Sequence, residues 1–208
     1  MEFERGYLVM DHYYSSKPSS ESKRERIEAE IAGHKFSFIT DAGVFSKNRV
    51  DVGSEVLMTT ASKTSFPEGN LLDVGCGYGP VGLYLAAVFP GRHIEMVDMN
   101  ERALDLARDN AKLNEIENVE IYQSDLFENV ENHQFAGIIS NPPIRAGKKV
   151  VHQILEEAYD YLAPGGLLQI VIQKKQGAPS ARKKMEEVFG NVERVALEKG
   201  YWILESKK

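Results

Sequence analysis

An α/β fold is predicted: a doubly wound, Rossmann-like sheet of seven strands over residues 51–208, preceded by an N-terminal arm and small β-hairpin appendage over residues 1–50. Three observations carry this. From Leu71 the chain reads Leu-Leu-Asp-Val-Gly-Cys-Gly-Tyr-Gly-Pro-Val-Gly, a short apolar run giving way to glycines at 75, 77 and 79 before Pro80 opens a helical pattern. From Asn70 onward strand-like and helix-like patterns alternate, as in a parallel sheet covered on both faces. Near the C-terminus two apolar runs flank Glu198-Lys199-Gly200, an antiparallel hairpin for the sheet edge.

Residues 1–24 mix Tyr13, Tyr14, serines, Pro18 and charges, and form an irregular arm. From Arg26 to Ile31 and from Lys35 to Ile39 apolar and polar residues alternate, giving two strands around a Gly33-His34 turn. Thr40 to Phe45 follows as a loop, and Ser54 caps a helix from Glu55 to Ser62. Strands then fall at 70–74, 93–98, 118–122 and 135–140, with helices at 80–88 and 101–113 and a shorter connection from Leu126 to Glu131. Proline at the first position of the 80–88 helix lacks only an N–H that would be unpaired there, and Asn100 caps the 101–113 helix. Val150 to Leu162 is helical, Pro164-Gly165-Gly166 ends it, and Leu167 to Ile172 is a buried strand. A helix from Pro179 to Phe189 leads to the hairpin strands Val192–Leu197 and Tyr201–Leu204.

A length of 208 residues is ample for a buried core, and 42% hydrophobic with 27% charged residues is the balance of a soluble globular protein. Cys76 is the single cysteine, which excludes an intramolecular disulfide and fits a reducing compartment. With no signal peptide, membrane span or metal site apparent, a cytoplasmic location is expected. A net charge of −6 argues against indiscriminate nucleic-acid binding, yet Arg145, Lys148, Lys149 and then Lys174, Lys175, followed by Arg182, Lys183 and Lys184, cluster after the fourth and fifth strands. Arg145, Lys148, Lys149, Lys174 and Lys175 are the candidate substrate-binding cations.

The spacing of the glycines and the flanking charge indicate the ligand. A dinucleotide fingerprint reads G-x-G-x-x-G; here Gly75, Gly77 and Gly79 bring the third glycine one residue early, and Asp73 stands just before the turn. A carboxylate there disfavours a pyrophosphate and suits an ammonium group. S-adenosylmethionine carries an ammonium and a sulfonium and no phosphate. Asp98, closing the strand Ile-Glu-Met-Val-Asp, stands at about the distance from the glycines at which an acid takes ribose hydroxyls. Met99 packs on the adenine, and Asp125-Leu126 after the third strand places a carboxylate for the adenine amino group.

These residues together resemble the class I S-adenosylmethionine-dependent methyltransferases, over about residues 50–208. The most specific words are Ser140-Asn141-Pro142-Pro143-Ile144, similar to the N-P-P-[aromatic] motif of enzymes that methylate exocyclic or amide nitrogens. His12-Tyr13-Tyr14-Ser15, Thr40-Asp41-Ala42-Gly43-Val44-Phe45-Ser46 and Asp51-Val52-Gly53-Ser54 narrow the resemblance to the RsmC-like family. That resemblance implies methylation of the N2 amine of a guanine in small-subunit ribosomal RNA, with ribosomal RNA or the small subunit as partner. A protein glutamine-amide methyltransferase, which also uses an Asn-Pro-Pro loop, and a non-catalytic cofactor-binding ribosome factor are the alternatives. The resemblance also makes Phe45 and Ser46 lid residues over the cofactor.

An exocyclic amine is a weak nucleophile because its lone pair is delocalised into the ring. Accepting its hydrogens on the Asn141 side-chain oxygen and the Pro142 carbonyl holds the nitrogen for attack, while Pro142 and Pro143 stiffen the loop. The departure is Ile144, where the family pattern has an aromatic ring to stack on the base. Phe45, Tyr13 or Tyr14 is then expected to supply that platform, or the substrate binds differently. Neither His12 nor His152 is assigned a role.

Overall fold

The computed structural model describes residues 22–44, 46 and 48–208. His12, Tyr13, Tyr14 and Phe45 lie outside the described residues. The N-terminal hairpin pairs β1 (Glu25–Ile31) with β2 (His34–Thr40). Its turn is Ala32-Gly33, one residue earlier than expected, with φ of 48° and 86°. Two successive left-handed residues give the twist that a two-residue hairpin demands.

The main sheet contains β3 (Leu71–Val74), β4 (Ile94–Asp98), β5 (Val119–Gln123), β6 (Phe135–Ser140), β7 (Leu162–Gln173), β8 (Glu193–Glu198) and β9 (Tyr201–Lys207). Their order across the sheet is β5-β4-β3-β6-β7-β9-β8, with β9 antiparallel to both β7 and β8. The chain steps outward from β3 to β4 and β5, then returns to place β6 on the other side of β3. The crevice of such a sheet opens at the carboxyl ends of the two strands flanking that reversal.

Among the described residues five helices cover the sheet: α1 (Val52–Ala61), α2 (Pro80–Val88), α3 (Glu101–Leu113), α4 (Lys148–Tyr161) and α5 (Ala178–Phe189). Because strand side chains alternate between faces, Leu71, Met96, Ile139, Val171 and Ile203 pack with α1, α2 and α3. Their neighbours Leu72, Val97, Ile138, Ile170 and Leu204 pack with α4 and α5. Gly82 lets α2 press on β4, since a Cβ there would stand 2.6 Å from Met96 Cγ. The hairpin packs against α3. Its Phe36 and Phe38 join the core beside Tyr84 and Tyr78.

Some boundaries differ from expectation. Asp51, not Ser54, caps α1: its carboxylate accepts from the Ser54 N–H at 3.2 Å, and the helix begins at Val52. Helix α4 starts at Lys148, and Pro164-Gly165-Gly166 lies within β7, where the pairing with β6 shifts register between Phe135 and Gly137. Strand β9 runs to Lys207 because β7 offers it partners as far as Leu167. Among the described residues no helix is long and apolar enough to cross a membrane, and no group of His, Cys, Asp and Glu is placed to hold a metal ion.

Candidate active site

The carboxyl ends of β3 and β6 open into a cavity of about 530 Å³. On the β3 side the chain turns through Gly75 and Gly77, with φ of 77° and 58°; a Cβ at either would meet nothing within 4 Å. Bare backbone therefore faces open space, which is what close approach of a ligand requires. The N–H groups of Gly75 and Cys76 both donate to the Val97 carbonyl at 2.9 Å, tying the turn to the end of β4. Asp98 completes the tie: one carboxylate oxygen accepts from Gly77 N–H at 2.9 Å and the other from Asn100 N–H at 2.8 Å. Each oxygen retains a lone pair for a ligand hydroxyl. Asp73, fully buried, accepts from Gly82 N–H at 2.8 Å, so it also anchors the start of α2.

On the β6 side Ser140 donates its hydroxyl to the Val74 carbonyl at 2.7 Å, which fixes the Asn-Pro-Pro loop relative to the glycine turn. The Asn141 amide nitrogen donates to Asp51 Oδ2 at 3.3 Å and to Ser54 Oγ at 3.0 Å. A carboxylate can only accept, so the NH₂ must face Asp51 and the amide oxygen is directed away from it. Asp51 thus caps α1 and orients Asn141 with the same carboxylate. Pro143 accepts from Ala146 N–H at 2.9 Å, and Ile144–Ala146 forms one tight 3₁₀ turn leading to α4.

The lining is acidic. Among the described residues the lining has Asp51, Asp73, Asp98 and Asp125 against one arginine, Arg145. Burial, reinforced by the charge of Asp98, pushes the Asp73 carboxyl up to about 7, although the Gly82 N–H opposes the shift. Burial also raises Asp98, against the pull of the backbone N–H groups of Asn100, Gly77 and Met99. Two carboxyls that resist ionising in the free cavity are relieved by a cation. The same burial, with Asp98 and Asp73 nearby, raises the Cys76 thiol far from a thiolate, so it is no nucleophile. Tyr78 is buried with a hydroxyl that has no partner among the described residues, and it lines the cavity. An orphaned hydroxyl, bare glycine backbone and a carboxylate floor fit S-adenosylmethionine, with its ammonium, sulfonium and hydroxyl groups and no phosphate.

The expected residues fall into three groups. Asp73, Gly75, Gly77, Asp98, Met99, Asp125, Leu126, Asn141, Pro142, Pro143, Ile144 and Arg145 all line the cavity. Gly79 does not; its φ of 95° caps α2, and a Cβ would press on Met96 and Leu83 at 3.0 and 3.1 Å. Lys148 and Lys149 open α4 and Lys174 and Lys175 occupy the 3₁₀ turn after β7, all exposed outside the lining. Phe45 lies outside the described residues, while Ser46 accounts for its hydroxyl by donating to the Arg49 carbonyl at 2.7 Å. Asp51, Ser54, Tyr78, Ser140 and Tyr201 were not singled out by the sequence as site residues. An Asp and a Ser three residues apart at a helix start signal only a cap.

The profile of the family described as Methyltransferase small domain matches residues 35–205, spanning both sides of this cavity. The chain belongs to that family. It is similar to methyltransferases of RsmC type. It is 53% identical over 201 residues to the protein YbxB of Bacillus subtilis, covering 96% of this chain and 100% of that one. The ribosomal RNA small subunit methyltransferase C of Aeromonas hydrophila is 33% identical over 150 residues, 70% of this chain and 42% of the relative. Among solved structures, the T. thermophilus 16S rRNA N2 methyltransferase RsmC, in complex with AdoMet and guanosine, superposes with a TM-score of 0.81 at 25% identity, over 92% of this chain and 52% of that one. The methyltransferase thus spans about half the length, or less, of these RsmC relatives.

Proposed function

We propose that this methyltransferase transfers a methyl group to the exocyclic N2 amine of a guanine in small-subunit ribosomal RNA. The observation that carries the proposal is the Asn141 amide, whose NH₂ is held by Asp51 and Ser54 so that its oxygen is left to accept. S-adenosylmethionine supplies an activated methyl on a sulfonium. The chain's own part is to position the amine: Asn141 Oδ1 and the Pro142 carbonyl accept its two hydrogens and hold the lone pair out of conjugation with the ring. No strong base is needed, because the alkylated amine loses its proton readily to water.

Two further observations support RNA. The relatives named above include a ribosomal RNA methyltransferase and an RsmC solved with guanosine. Arg145, Lys148, Lys149, Lys174 and Lys175 are exposed and enter no ion pair among the described residues, whereas Lys184 is bound to Glu156 at 2.8 Å. Free cations beside an acidic pocket suit a phosphate backbone whose base enters the pocket.

Incubation with radiolabelled S-adenosylmethionine and isolated small ribosomal subunits tests the proposal. Label is expected in RNA, as N2-methylguanosine after digestion. Label in ribosomal protein instead points to an amide nitrogen as acceptor, and label in neither refutes both.

A further inference from the structure

Ile144 leaves the cavity without the ring that its family motif places beside the reactive asparagine. We propose that Tyr201 is the aromatic platform for the target base, gripping it against Ile144 from the opposite side; this rests on the RNA function proposed above.

Among the described residues the aromatic rings lining the cavity are Tyr78 and Tyr201. Tyr78 is only 3% exposed beneath the glycine turn, which leaves no face for a base. Tyr201 is half-buried and opens β9, paired with Gln173 at the carboxyl end of β7, so it stands on the same rim as the Asn-Pro-Pro loop. Its ring lies against Gly53, beside the Asp51 carboxylate. A Cβ at Gly53 would stand 2.9 Å from Asp51 Oδ2 and 2.9 and 3.0 Å from Tyr201 Cε1 and Cδ1. Glycine at 53 therefore admits the ring against the first turn of α1, beside the carboxylate that orients Asn141.

The sheet separates the two apolar surfaces. Tyr201 packs with the core under α1, α2 and α3, whereas Ile144 packs with the core under α4 and α5. Asn141 sits between them at the end of β6. A flat base whose amine reaches Asn141 has a ring on one face and a branched aliphatic group on the other, the sandwich by which unstacked bases are held. The platform is also joined to the basic rim. The Gly200 carbonyl, next to Tyr201, accepts from Lys174 N–H at 3.0 Å, which ties the backbone under the ring to the start of the Lys174–Lys175 turn.

The test is methyl transfer to small ribosomal subunits over a range of subunit concentrations, for wild type, Tyr201→Phe and Tyr201→Leu. Cofactor affinity measured by calorimetry reports folding. Tyr201→Leu is expected to raise the half-saturating subunit concentration about 5- to 160-fold, the range for a lost base–aromatic stack, with cofactor affinity unchanged. Tyr201→Phe should stay within about threefold of wild type, since the ring is kept. If leucine disturbs the fold, seen as lost cofactor affinity, Tyr201→Gln carries the same expectation. Wild-type saturation by the leucine or glutamine variant, or equal damage by phenylalanine, overturns the platform alone. Wild-type protein that puts no label into RNA removes the RNA function, and the platform with it.

Discussion

Asp51→Asn separates two roles that the wild-type carboxylate combines. Asn caps helices about as well as Asp, so α1 should lose no more than about 0.5 kcal/mol, a fall in Tm of about 2 °C for a chain of this size. The orienting role is more exposed to the change. Asp51 Oδ2 receives a charge-assisted hydrogen bond from Asn141 at 3.3 Å, and the acceptor-only carboxylate forbids the flipped amide. A hydrogen bond to a charged group is worth about 1.5–3 kcal/mol and a neutral one about 0.5–1.5, so about 1–1.5 kcal/mol of orienting preference is lost. That corresponds to about a 5- to 12-fold slower single-turnover methyl transfer, with cofactor affinity unchanged. Asp51→Ala removes both roles and should add a fall in Tm of about 2–4 °C from the lost cap. Thermal denaturation and single-turnover transfer of labelled methyl, run on the same preparations, read the two effects apart. A stable Asp51→Asn protein that transfers methyl at the wild-type rate refutes the orienting role.

Asn141→Ala should leave cofactor affinity nearly intact, because Asp98 and the glycine turn lie on the other side of the crevice, and lower methyl transfer by about 10²–10³-fold. Unchanged single-turnover rates would make the loop a connector only. If Asp98 accepts from the ribose hydroxyls as proposed, Asp98→Ala should weaken S-adenosylhomocysteine binding by about 1.5–3 kcal/mol by calorimetry, with Gly77 also untied; equal affinity removes the ribose assignment. For Asp73 the folded carboxyl, raised to about 7 by burial, binds a proton more tightly than the unfolded one near 3.8. Its contribution to stability is therefore present below the lower value and lost as pH rises through about 7. Urea denaturation of the ligand-free protein should show stability declining across that window, with a flatter profile in Asp73→Asn; identical slopes would contradict the shift. Neutralising Arg145, Lys148, Lys149, Lys174 and Lys175 should lower the salt dependence of RNA binding by about 0.7–0.9 per lost phosphate contact. An unaltered slope would return these residues to ordinary solvated surface.

That Asn141, the bare-glycine turn and the acids at the strand ends line one cavity was legible because each is a short word contiguous in the chain. The sheet itself was legible because short, largely buried runs such as Ile-Glu-Met-Val-Asp alternate with helical patterns opened by caps such as Asn100. What orients Asn141 was not, because Asp51 and Ser54 lie 90 and 87 positions away and meet it only through the strand reversal at β3 and β6. Tyr201 is hidden for the same reason: in the sequence it is one more residue of an edge hairpin. Ser54 as the cap failed on local grounds, since Asp51 and Ser54 are both good caps and only the backbone geometry chooses between them. Gly79 looked like part of the ligand turn, yet its free conformation serves the helix start.

The hairpin before the sheet looks like an attachment that a shorter protein would do without. One side chain says otherwise. Asn110, fully buried on α3, accepts from Ile39 N–H at 2.6 Å and donates to the Ile39 carbonyl at 3.0 Å and to the Tyr78 carbonyl at 2.9 Å. A single amide thus serves as a rung for β2 and as a strut for the turn that faces the cofactor. Excising residues before 51 would strip Asn110 of two of its three partners and expose Phe36 and Phe38 contacts on Tyr84 and Tyr78 to water. The amide would then be free to rotate away from Tyr78, and the glycine turn would lose its brace from behind. The smallest piece of this chain able to keep its pocket in shape therefore begins with the hairpin: trimming at the sheet's apparent border would take Gly43 and Val44 out of the lining and loosen the residues that remain.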